Sequence, residues 1–202
     1  MTEIEVVELA PDRIGDYFSL FDAAFRDNAE WAGCYCAFHD SPPGVPFDAV
    51  ANAAQHRCER EERIRSGTAT GLLAYADGSV VGWCNVGPRS RIANLRFAQV
   101  AVADPDDDPA VIMCYVIDPA WRGRGVAGAL TRSAVEAARR WGSPWLEGYP
   151  VVAPDDPDEP FTEAFYTGPL SVFLTAGFTV ARRVLAGDSE IAIVRHDLAP
   201  SA

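Results

Sequence analysis

The sequence contains no lysine, so all 17 of its lysine-or-arginine positions are arginines. Against 29 acidic residues, these leave a formal net charge of −12. A chain this acidic argues against a nucleic-acid or membrane-surface partner, because both of those present negative charge. An acidic surface attracts cationic ligands, amines included, although acidity more often serves solubility alone.

Long apolar runs and a targeting segment are also missing. No run approaches the roughly 18 apolar residues that a membrane span needs. The first ten residues, MTEIEVVELA, are acidic and lack the basic start of a secretory signal, so we expect a cytoplasmic protein. The five cysteines are odd in number and predict free thiols rather than a disulfide scaffold. A length of 202 residues, 49% of them hydrophobic, suits a single globular domain.

Hydrophobic periodicity and turn residues predict the element order β-α-α-β-β-β-α-β-α-β-β. Asp77-Gly78 is typical of the turn in a β-hairpin. The other predicted elements are a strand at 4–9, helices from Pro11 and over 47–65, a buried strand at 110–117, a helix at 125–141, a strand in PWLEGYP, a short helix before Gly177, and strands at 178–185 and 190–197.

The stretch VIMCYVIDPAWRGRGVAGAL runs from an apolar strand into the glycine-rich start of a helix. Gly123, Gly125 and Gly128 match G-x-G-x-x-G, and Glu147 follows at the distance of the acid that binds a ribose hydroxyl in Rossmann folds. However, DPAWR separates the strand from the first glycine, whereas a Rossmann glycine follows its strand almost at once. Several strands also precede the motif here, whereas the motif of a Rossmann domain follows its first strand. A dinucleotide site is therefore the weaker interpretation.

The arginines inside this loop favour a ligand that carries more phosphate than a dinucleotide. The pattern Arg122-x-x-Gly125-x-Ala127 at a strand-to-helix junction resembles the acyl-CoA pyrophosphate loop of the GNAT superfamily of N-acyltransferases. The segment FLTAGF resembles the helix that ends in a Gly-Phe pair beside the pantetheine arm in that family. The resemblance covers roughly residues 70–198. The Cys-x-Cys motif and GLLAYADGSVVGW resemble a bacterial GNAT subgroup with no assigned substrate.

The resemblance implies one GNAT domain over residues 1–202, of the α/β (α+β) class, with a mixed, mostly antiparallel twisted sheet of about seven strands flanked by helices. Residues 1–68 would form the acceptor side and residues 69–198 the acyl-CoA-binding core. Acetyl-CoA would be the co-substrate and a small amine the acceptor, with direct acetyl transfer; a homodimer is left open. The residues implied to bind acetyl-CoA are Val116, Ile117, Arg122, Gly123, Arg124, Gly125, Val126, Ala127 and Phe173.

Acyl transfer to an amine needs a proton acceptor and a donor to the oxygen that becomes negatively charged. Glu147 is the predicted general base, because Trp145 and Tyr149 share its strand face. An ordinary ion-pair partner is an equal alternative for this glutamate. The backbone N–H of Val116 or Ile117 is the expected donor to the oxygen.

The leaving thiolate needs a proton donor, and here the sequence departs from the family. GNAT enzymes often carry a tyrosine four residues before the glycine of the final Gly-Phe pair, where this chain has Phe173. Tyr166, Ser171 and Tyr149 are near in sequence and could substitute, and Tyr166 is the catalytic residue that we predict. A structural role is the alternative for each of the three, and a thiol can also leave with modest help. The missing hydroxyl keeps open a second class of function, a non-catalytic acyl-CoA-binding sensor or scaffold.

The segment WAGCYCAFHD is expected to line the acceptor side. The Cys-x-Cys pair with His39, His56 and Cys58 raises the alternative of a zinc site, but the spacing matches no common zinc motif, so no metal is expected. The residues expected to contact the acceptor are Trp31, Cys34, Cys36, Arg89 and Tyr149. For Arg89, a surface ion pair is an equal alternative.

Overall fold

The computed structural model describes residues 2–26, 31–41, 44–93, 108–152, 166–186 and 189–198. Seven strands of these ranges form one sheet in the order β1-β2-β3-β4-β5-β7-β6. The strands are β1 (Glu5–Glu8), β2 (Leu72–Ala76), β3 (Ser79–Pro88), β4 (Ala110–Ile117), β5 (Trp145–Gly148), β6 (Thr179–Ala186) and β7 (Ser189–Asp197). The α-helices are α1 (Ile14–Ala24), α2 (Ala53–Arg65), α3 (Val126–Arg140) and α4 (Leu170–Thr175).

The sheet is antiparallel at every pairing except the one between β4 and β5. These two strands are parallel and pair only from Ala110 with Leu146 to Ile112 with Gly148. Strand β4 continues to Ile117 while β5 ends at Gly148, so the strands part and leave a gap beside the second half of β4. The predicted mixed, mostly antiparallel sheet of seven strands is confirmed.

A β-bulge lies in β4 where the gap begins. Asn85 pairs with Cys114 and Val86 pairs with Ile112, so Met113 is an extra residue on β4. Ile112 and Tyr115 pack in the core beneath α3, whereas Met113 and Cys114 belong to the two apolar clusters of the opposite face. The bulge thus turns two consecutive side chains to the same side of the sheet.

The two faces of the sheet are covered differently. Helix α3 packs its small residues Ala134, Ala137 and Ala138 against one face, which allows a close approach of the helix to the strands. Helix α1 and the segment 31–41, which we call the acceptor loop after its predicted role, cover the other face with an aromatic cluster. The largest buried members of that cluster are Tyr17, Phe21 and Trp83.

Most predicted elements lie within a few residues of their observed positions, and the strand at 110–117 matches β4. The Asp77-Gly78 turn has positive φ at both residues, as a two-residue hairpin turn requires. The helix predicted over 47–65 begins only at Ala53. The Asp48 side chain accepts hydrogen bonds from the backbone of Val50 and Ala51, which holds that segment in turns before the helix starts.

Candidate active site

Beyond Ile112, one set of backbone groups of β4 has no partner on β5. In an antiparallel pair, successive residues direct their N–H and C=O groups alternately toward and away from the partner strand. Asp118, just after β4, donates its N–H to Val81 of β3 at 3.1 Å, so Ile117 directs its groups away from β3. The Ile117 carbonyl oxygen accepts from Arg122 Nε at 3.4 Å, which agrees with this direction. Of the two predicted donors, the alternation favours Ile117 over Val116.

A turn with two left-handed glycines links β4 to α3. Its first part is held by Asp118, whose side chain accepts from the Ala120 N–H at 2.8 Å. Gly123 and Gly125 follow with φ values of +71° and +86°, which side chains with a Cβ rarely adopt. A Cβ added at either glycine would meet no atom within 4 Å. Both glycines are therefore required by backbone conformation, and open space lies beside them.

The turn ends at the N-terminus of α3, where the first helical hydrogen bond runs from the Ala129 N–H to the Gly125 oxygen at 3.0 Å. The preceding N–H groups of a first turn have no partner within a helix and favour anions. Arg122 and Arg124 lie beside this end, although cations are unfavourable there. A bound polyanion would remove that conflict, so the residues fit a phosphate-rich ligand. The Arg124 guanidinium lies 5.2 Å from the Trp121 ring centroid.

Phe173 lies in the core on α4, beside the end of β5. Its ring packs on Gly148 so closely that an added Cβ there would be 2.3 Å from Phe173 Cε1. Phe178 and Tyr115 pack against it edge to face, with ring centroids 5.2 and 6.1 Å away. The ring is fully buried, so it shapes the wall next to the gap, and its contact with a cofactor stays a prediction.

The carboxylate of Glu147 is occupied by three donors. Its Oε1 accepts from Trp145 Nε1 at 2.9 Å and from Arg195 Nη2 at 2.7 Å, and its Oε2 accepts from the Tyr149 hydroxyl at 3.0 Å. The residue is only 1% exposed. Trp145 and Glu147 of β5 and Tyr149, one residue after the strand, thus bring their side chains to one face, as the sequence predicts. The contacts favour the ion-pair alternative for Glu147, and its role as general base stays a prediction.

Tyr149 belongs to the same buried group. Burial raises the pKa of its phenol well above the usual value, and the negative charge of Glu147 adds to this, while Arg89 and Arg195 oppose it. Arg89 follows the end of β3 and donates its backbone N–H to the Pro109 oxygen at 2.9 Å, at the end of β4 away from the gap. Tyr149 packs in the apolar cluster of Val111 and Met113, whereas Tyr35 and Cys36 of the acceptor loop belong to a second cluster.

The acceptor loop carries two consecutive residues in the left-handed region, Tyr35 at φ +43° and Cys36 at φ +56°. Three bonds to carbonyl oxygens hold them. Tyr17 donates to the Tyr35 oxygen at 2.8 Å, and the buried Arg60 donates to the oxygens of Tyr35 and Cys36 at 3.0 and 2.8 Å. Arg60 also forms an ion pair with Asp40 at 2.8 Å. The sequence analysis missed Arg60, although its position four residues before the buried Ile64 indicates an inward-facing site on α2.

Tyr166 packs beside the acceptor loop, although the two are far apart in sequence. Its ring centroid lies 6.1 Å from that of Trp31 and 6.3 Å from that of His39. It packs against the cluster that contains Cys114 and Val116 of β4. The structure therefore unites Tyr166 with the predicted Trp31, Cys34 and Cys36, and it adds the buried His39, which the sequence indicated only as a metal ligand.

No metal centre is found in the part of the chain that the structure describes, since no three or more histidine, cysteine, aspartate or glutamate side chains are arranged to hold an ion there. His56 instead directs Nδ1 to the Gly33 carbonyl oxygen at 3.1 Å and stacks on Phe47. The absence of bound metal in the protein stays a prediction, which metal analysis of purified material tests. Within the described ranges, no helix is long and apolar enough to cross a membrane.

Comparison with known families settles the relationship of the chain. Residues 31–155, which include the acceptor loop, the gap and the glycine turn, match the acetyltransferase (GNAT) family. The chain belongs to the GNAT family. The assignment of residues 1–68 and 69–198 to two sides of this GNAT domain stays a prediction, as does the bacterial Cys-x-Cys subgroup. No curated protein matches the chain.

Solved structures share the fold at low sequence identity. That of yncA from Salmonella typhimurium, a proposed acetyltransferase with its cofactor acetyl-CoA, is 15% identical, covers 98% of each chain and has a TM-score of 0.54. An N-acetyltransferase from Staphylococcus aureus Mu50 is 13% identical over 97% of this chain and 99% of its own, with a TM-score of 0.54. A GNAT-family acetyltransferase from Streptococcus pneumoniae is 12% identical over 97% and 99%, with a TM-score of 0.52.

Proposed function

We propose that this GNAT-family protein transfers an acetyl group from acetyl-CoA directly to a small amine. The observation that carries the proposal is the continuity of the glycine turn with the gap between β4 and β5. The turn offers open space and helix N–H groups for phosphates, and it directly follows the second half of β4, whose backbone groups lack a β5 partner. The acetyl-CoA in the yncA structure supports this choice of ligand.

Backbone N–H groups from Gly123 to Ala127 would hold the pyrophosphate, and Arg122 and Arg124 would balance its charge. When bound, acetyl-CoA supplies an acetyl group already activated as a thioester. The N–H of Ile117 would face the thioester oxygen and stabilise negative charge as it develops there. This donor is part of the sheet, so it needs no rearrangement during the reaction.

The acceptor loop and Tyr166 would form the other side of the reaction site. Tyr166 packs against the cluster that contains Cys114 and Val116 of β4, which supports a role for its hydroxyl as proton donor to the departing sulfur. Glu147 is left out of proton transfer because its carboxylate already accepts three hydrogen bonds. Water is the proposed acceptor of the amine's proton. The net charge of −12 favours the approach of cationic amines.

Acetyl-CoA is expected to stabilise the protein, and NAD is not. At about 100 times its dissociation constant, a ligand that binds only the folded state adds ~2.7 kcal/mol. For a chain of this length, that corresponds to a rise in Tm of roughly 5–10 °C. Differential scanning fluorimetry with each ligand measures the two shifts. A shift with NAD and none with acetyl-CoA would contradict the proposed ligand.

Tyr166→Phe is expected to lower the turnover number by ~10²-fold, the lower end for a positioned acid, because a thiolate can leave with modest help. The dissociation constant for acetyl-CoA should stay unchanged. Tyr75→Phe is the matched control, because the Tyr75 hydroxyl bonds Asp16 on the surface, away from the gap. Equal turnover in the two variants, measured by CoA release, would remove Tyr166 from the mechanism.

A non-catalytic acyl-CoA sensor is the second candidate function. The observation that favours it is Phe173, a buried side chain without a hydroxyl where GNAT enzymes often place a proton donor. The two functions differ in one outcome: a sensor binds acetyl-CoA but releases no CoA when amines are added. A panel of small amines, followed by CoA release and by the mass of each amine, distinguishes them.

A further inference from the structure

A short segment just before α4 passes beside β4 where that strand has no partner on β5. Tyr166 packs against the cluster that contains Val116 of β4, on the face of the sheet that α1 covers. Gly168 lies on the other face, since a Cβ added to it would be 2.8 Å from Cε2 of Tyr115, in the core beneath α3. The chain therefore crosses from one face of the sheet to the other at Thr167.

The same segment also borders the end of β5. The Cβ position of Gly168 lies 3.5 Å from Cε2 of Phe173 on α4. The other edge of that phenyl ring packs on Gly148, the last residue of β5. Thr167 thus has β4 on one side and the end of β5 on the other, which places it at the gap between these strands.

The hydroxyl of Thr167 is buried without a partner. Thr167 is 2% exposed, and no hydrogen-bond partner for its Oγ1 is found among the residues that the structure describes. Thr131 on α3 is buried in the usual way, because its Oγ1 donates to the Ala127 oxygen at 2.8 Å and shares a hydrogen bond with the Tyr115 hydroxyl at 2.7 Å. An unpartnered buried hydroxyl is unfavourable, and native proteins keep few of them. A ligand in the gap would supply the missing partner.

The position of Thr167 along β4 decides which part of the ligand it can reach. In the proposed binding of acetyl-CoA, on which this inference rests, the N–H of Ile117 faces the thioester oxygen and the glycine turn holds the pyrophosphate. Tyr115 precedes Ile117 by two residues, or roughly 7 Å of strand, in the direction away from the glycine turn. Thr167 therefore lies at the reacting end of the ligand. The thioester oxygen there already has a donor, whereas the sulfur gains negative charge and can accept several hydrogen bonds.

We propose that the Thr167 hydroxyl donates a hydrogen bond to the sulfur of acetyl-CoA and stabilises the charge that develops there. As the amine nitrogen bonds to the acetyl carbon, the C–S bond breaks and its electron pair passes to the sulfur. Thr167 keeps its proton, because an alcohol is a much weaker acid than a thiol, and Tyr166 supplies the proton that completes CoA. The proton that the amine loses to water replaces it on Tyr166. Amine and acetyl-CoA thus give amide and CoA.

Free CoA carries the same sulfur as a thiol, so the hydrogen bond can be measured without an acceptor amine. A hydroxyl that donates to this sulfur binds the thiolate of CoA more tightly than the thiol, and it lowers the pKa of the bound thiol below the ordinary value of about 8.5. The affinity for CoA should therefore rise as the pH increases toward about 9. Desulfo-CoA, in which hydrogen replaces the thiol, should show no such rise relative to CoA.

Isothermal titration calorimetry gives the dissociation constants of CoA and desulfo-CoA at about pH 6.5 and about pH 9, on either side of the thiol pKa. In Thr167→Val, CoA should bind at least about tenfold more weakly at the higher pH, the lower end for a hydrogen bond to a charged group. The loss should be small at the lower pH, and desulfo-CoA should bind equally to both proteins. Thr167→Ser keeps the hydroxyl and should restore the affinity for CoA.

Thr131→Val is the matched control for the loss of a buried hydroxyl. It removes a hydroxyl that has hydrogen-bond partners, so its Tm should fall. Thr167→Val removes a hydroxyl without a described partner, so its Tm should stay equal or rise. The two Tm values separate a lost ligand contact from damage to the fold. The difference between CoA and desulfo-CoA in the unchanged protein needs no variant.

Three results would overturn the proposal. The first is equal affinity for CoA in the unchanged protein and in Thr167→Val at both pH values. The second is an equal loss for CoA and desulfo-CoA, which would place the contact on another part of the ligand. The third is a fall in Tm as large as that of Thr131→Val, which would mean that the hydroxyl has a structural partner. All three leave the proposed function standing, whereas no binding of acetyl-CoA to the unchanged protein would overturn both.

Discussion

Glu147→Ala is expected to lower the free energy of unfolding by about 3 kcal/mol, the lower end for breaking a buried ion pair. The change leaves Trp145 Nε1, the Tyr149 hydroxyl and Arg195 Nη2 without their common acceptor. The low end applies because the Arg195 side chain is 29% exposed and regains some solvation. Urea unfolding followed by circular dichroism measures the difference.

Glu190→Ala is the control for this loss. Glu190 lies on the neighbouring strand β7 and pairs with Arg183 at 2.8 Å, but its side chain is 38% exposed. A surface pair contributes about 0–1 kcal/mol, so this variant should remain close to the unchanged protein. Similar losses of unfolding free energy in the two variants would show that the buried contacts of Glu147 stabilise the protein no more than a surface ion pair does.

Glu147→Gln separates the structural role from the catalytic one. The amide oxygen can still accept from Trp145 and Arg195, and the amide nitrogen can donate to the Tyr149 oxygen, so the fold should be kept. The contacts predict that turnover falls less than tenfold. A fall of ~10²–10⁴-fold at unchanged stability and unchanged acetyl-CoA affinity would instead identify Glu147 as the general base.

Gly125→Val is expected to weaken acetyl-CoA binding at least about 100-fold, or ~2.7 kcal/mol. A branched side chain is strained at φ +86°, and its Cβ enters the open space beside the first turn of α3. Arg122→Ala removes one exposed charge-assisted contact and should weaken binding only about tenfold. Isothermal titration calorimetry gives both dissociation constants.

Gly142→Val is the matched control for this change. Gly142 ends the same helix with φ +72°, and an added Cβ there also meets no atom within 4 Å. The backbone strain is therefore similar, but the site lies at the opposite end of α3. Gly142→Val should lower stability and leave acetyl-CoA affinity unchanged. An equal loss of affinity in both glycine variants would mean that strain alone, and not occupied space, weakens binding.

The sequence predicted the parts of the fold that depend on neighbouring residues. Strand β4 is a continuous apolar run, the Asp77-Gly78 turn needs two left-handed residues, and α3 begins after Gly125, so local chemistry determines each of them. Gly123 and Gly125 were singled out by the glycine motif and the resemblance to the GNAT loop, and their left-handed backbone is a finding of the structure.

The partners of the site residues could not be predicted in this way. Arg195 reaches Glu147 only because β7 pairs with β5 in one register, which places the two residues opposite each other. Arg60 is buried because the acceptor loop folds over α2 and supplies two carbonyl oxygens and Asp40. Both contacts join segments far apart in sequence, and periodicity carries no information about which segments will meet.

Hydrogen–deuterium exchange of backbone amides with and without acetyl-CoA is the most direct test that the glycine turn and the gap bind this ligand. If the account is right, acetyl-CoA slows exchange in the first turn of α3, at 123–128, and at Ile117 on the open side of β4. Amides at the opposite end of α3, near Gly142, should exchange at the same rate in both samples. Binding of acetyl-CoA that leaves 123–128 unchanged, or that protects amides only elsewhere, would contradict the account.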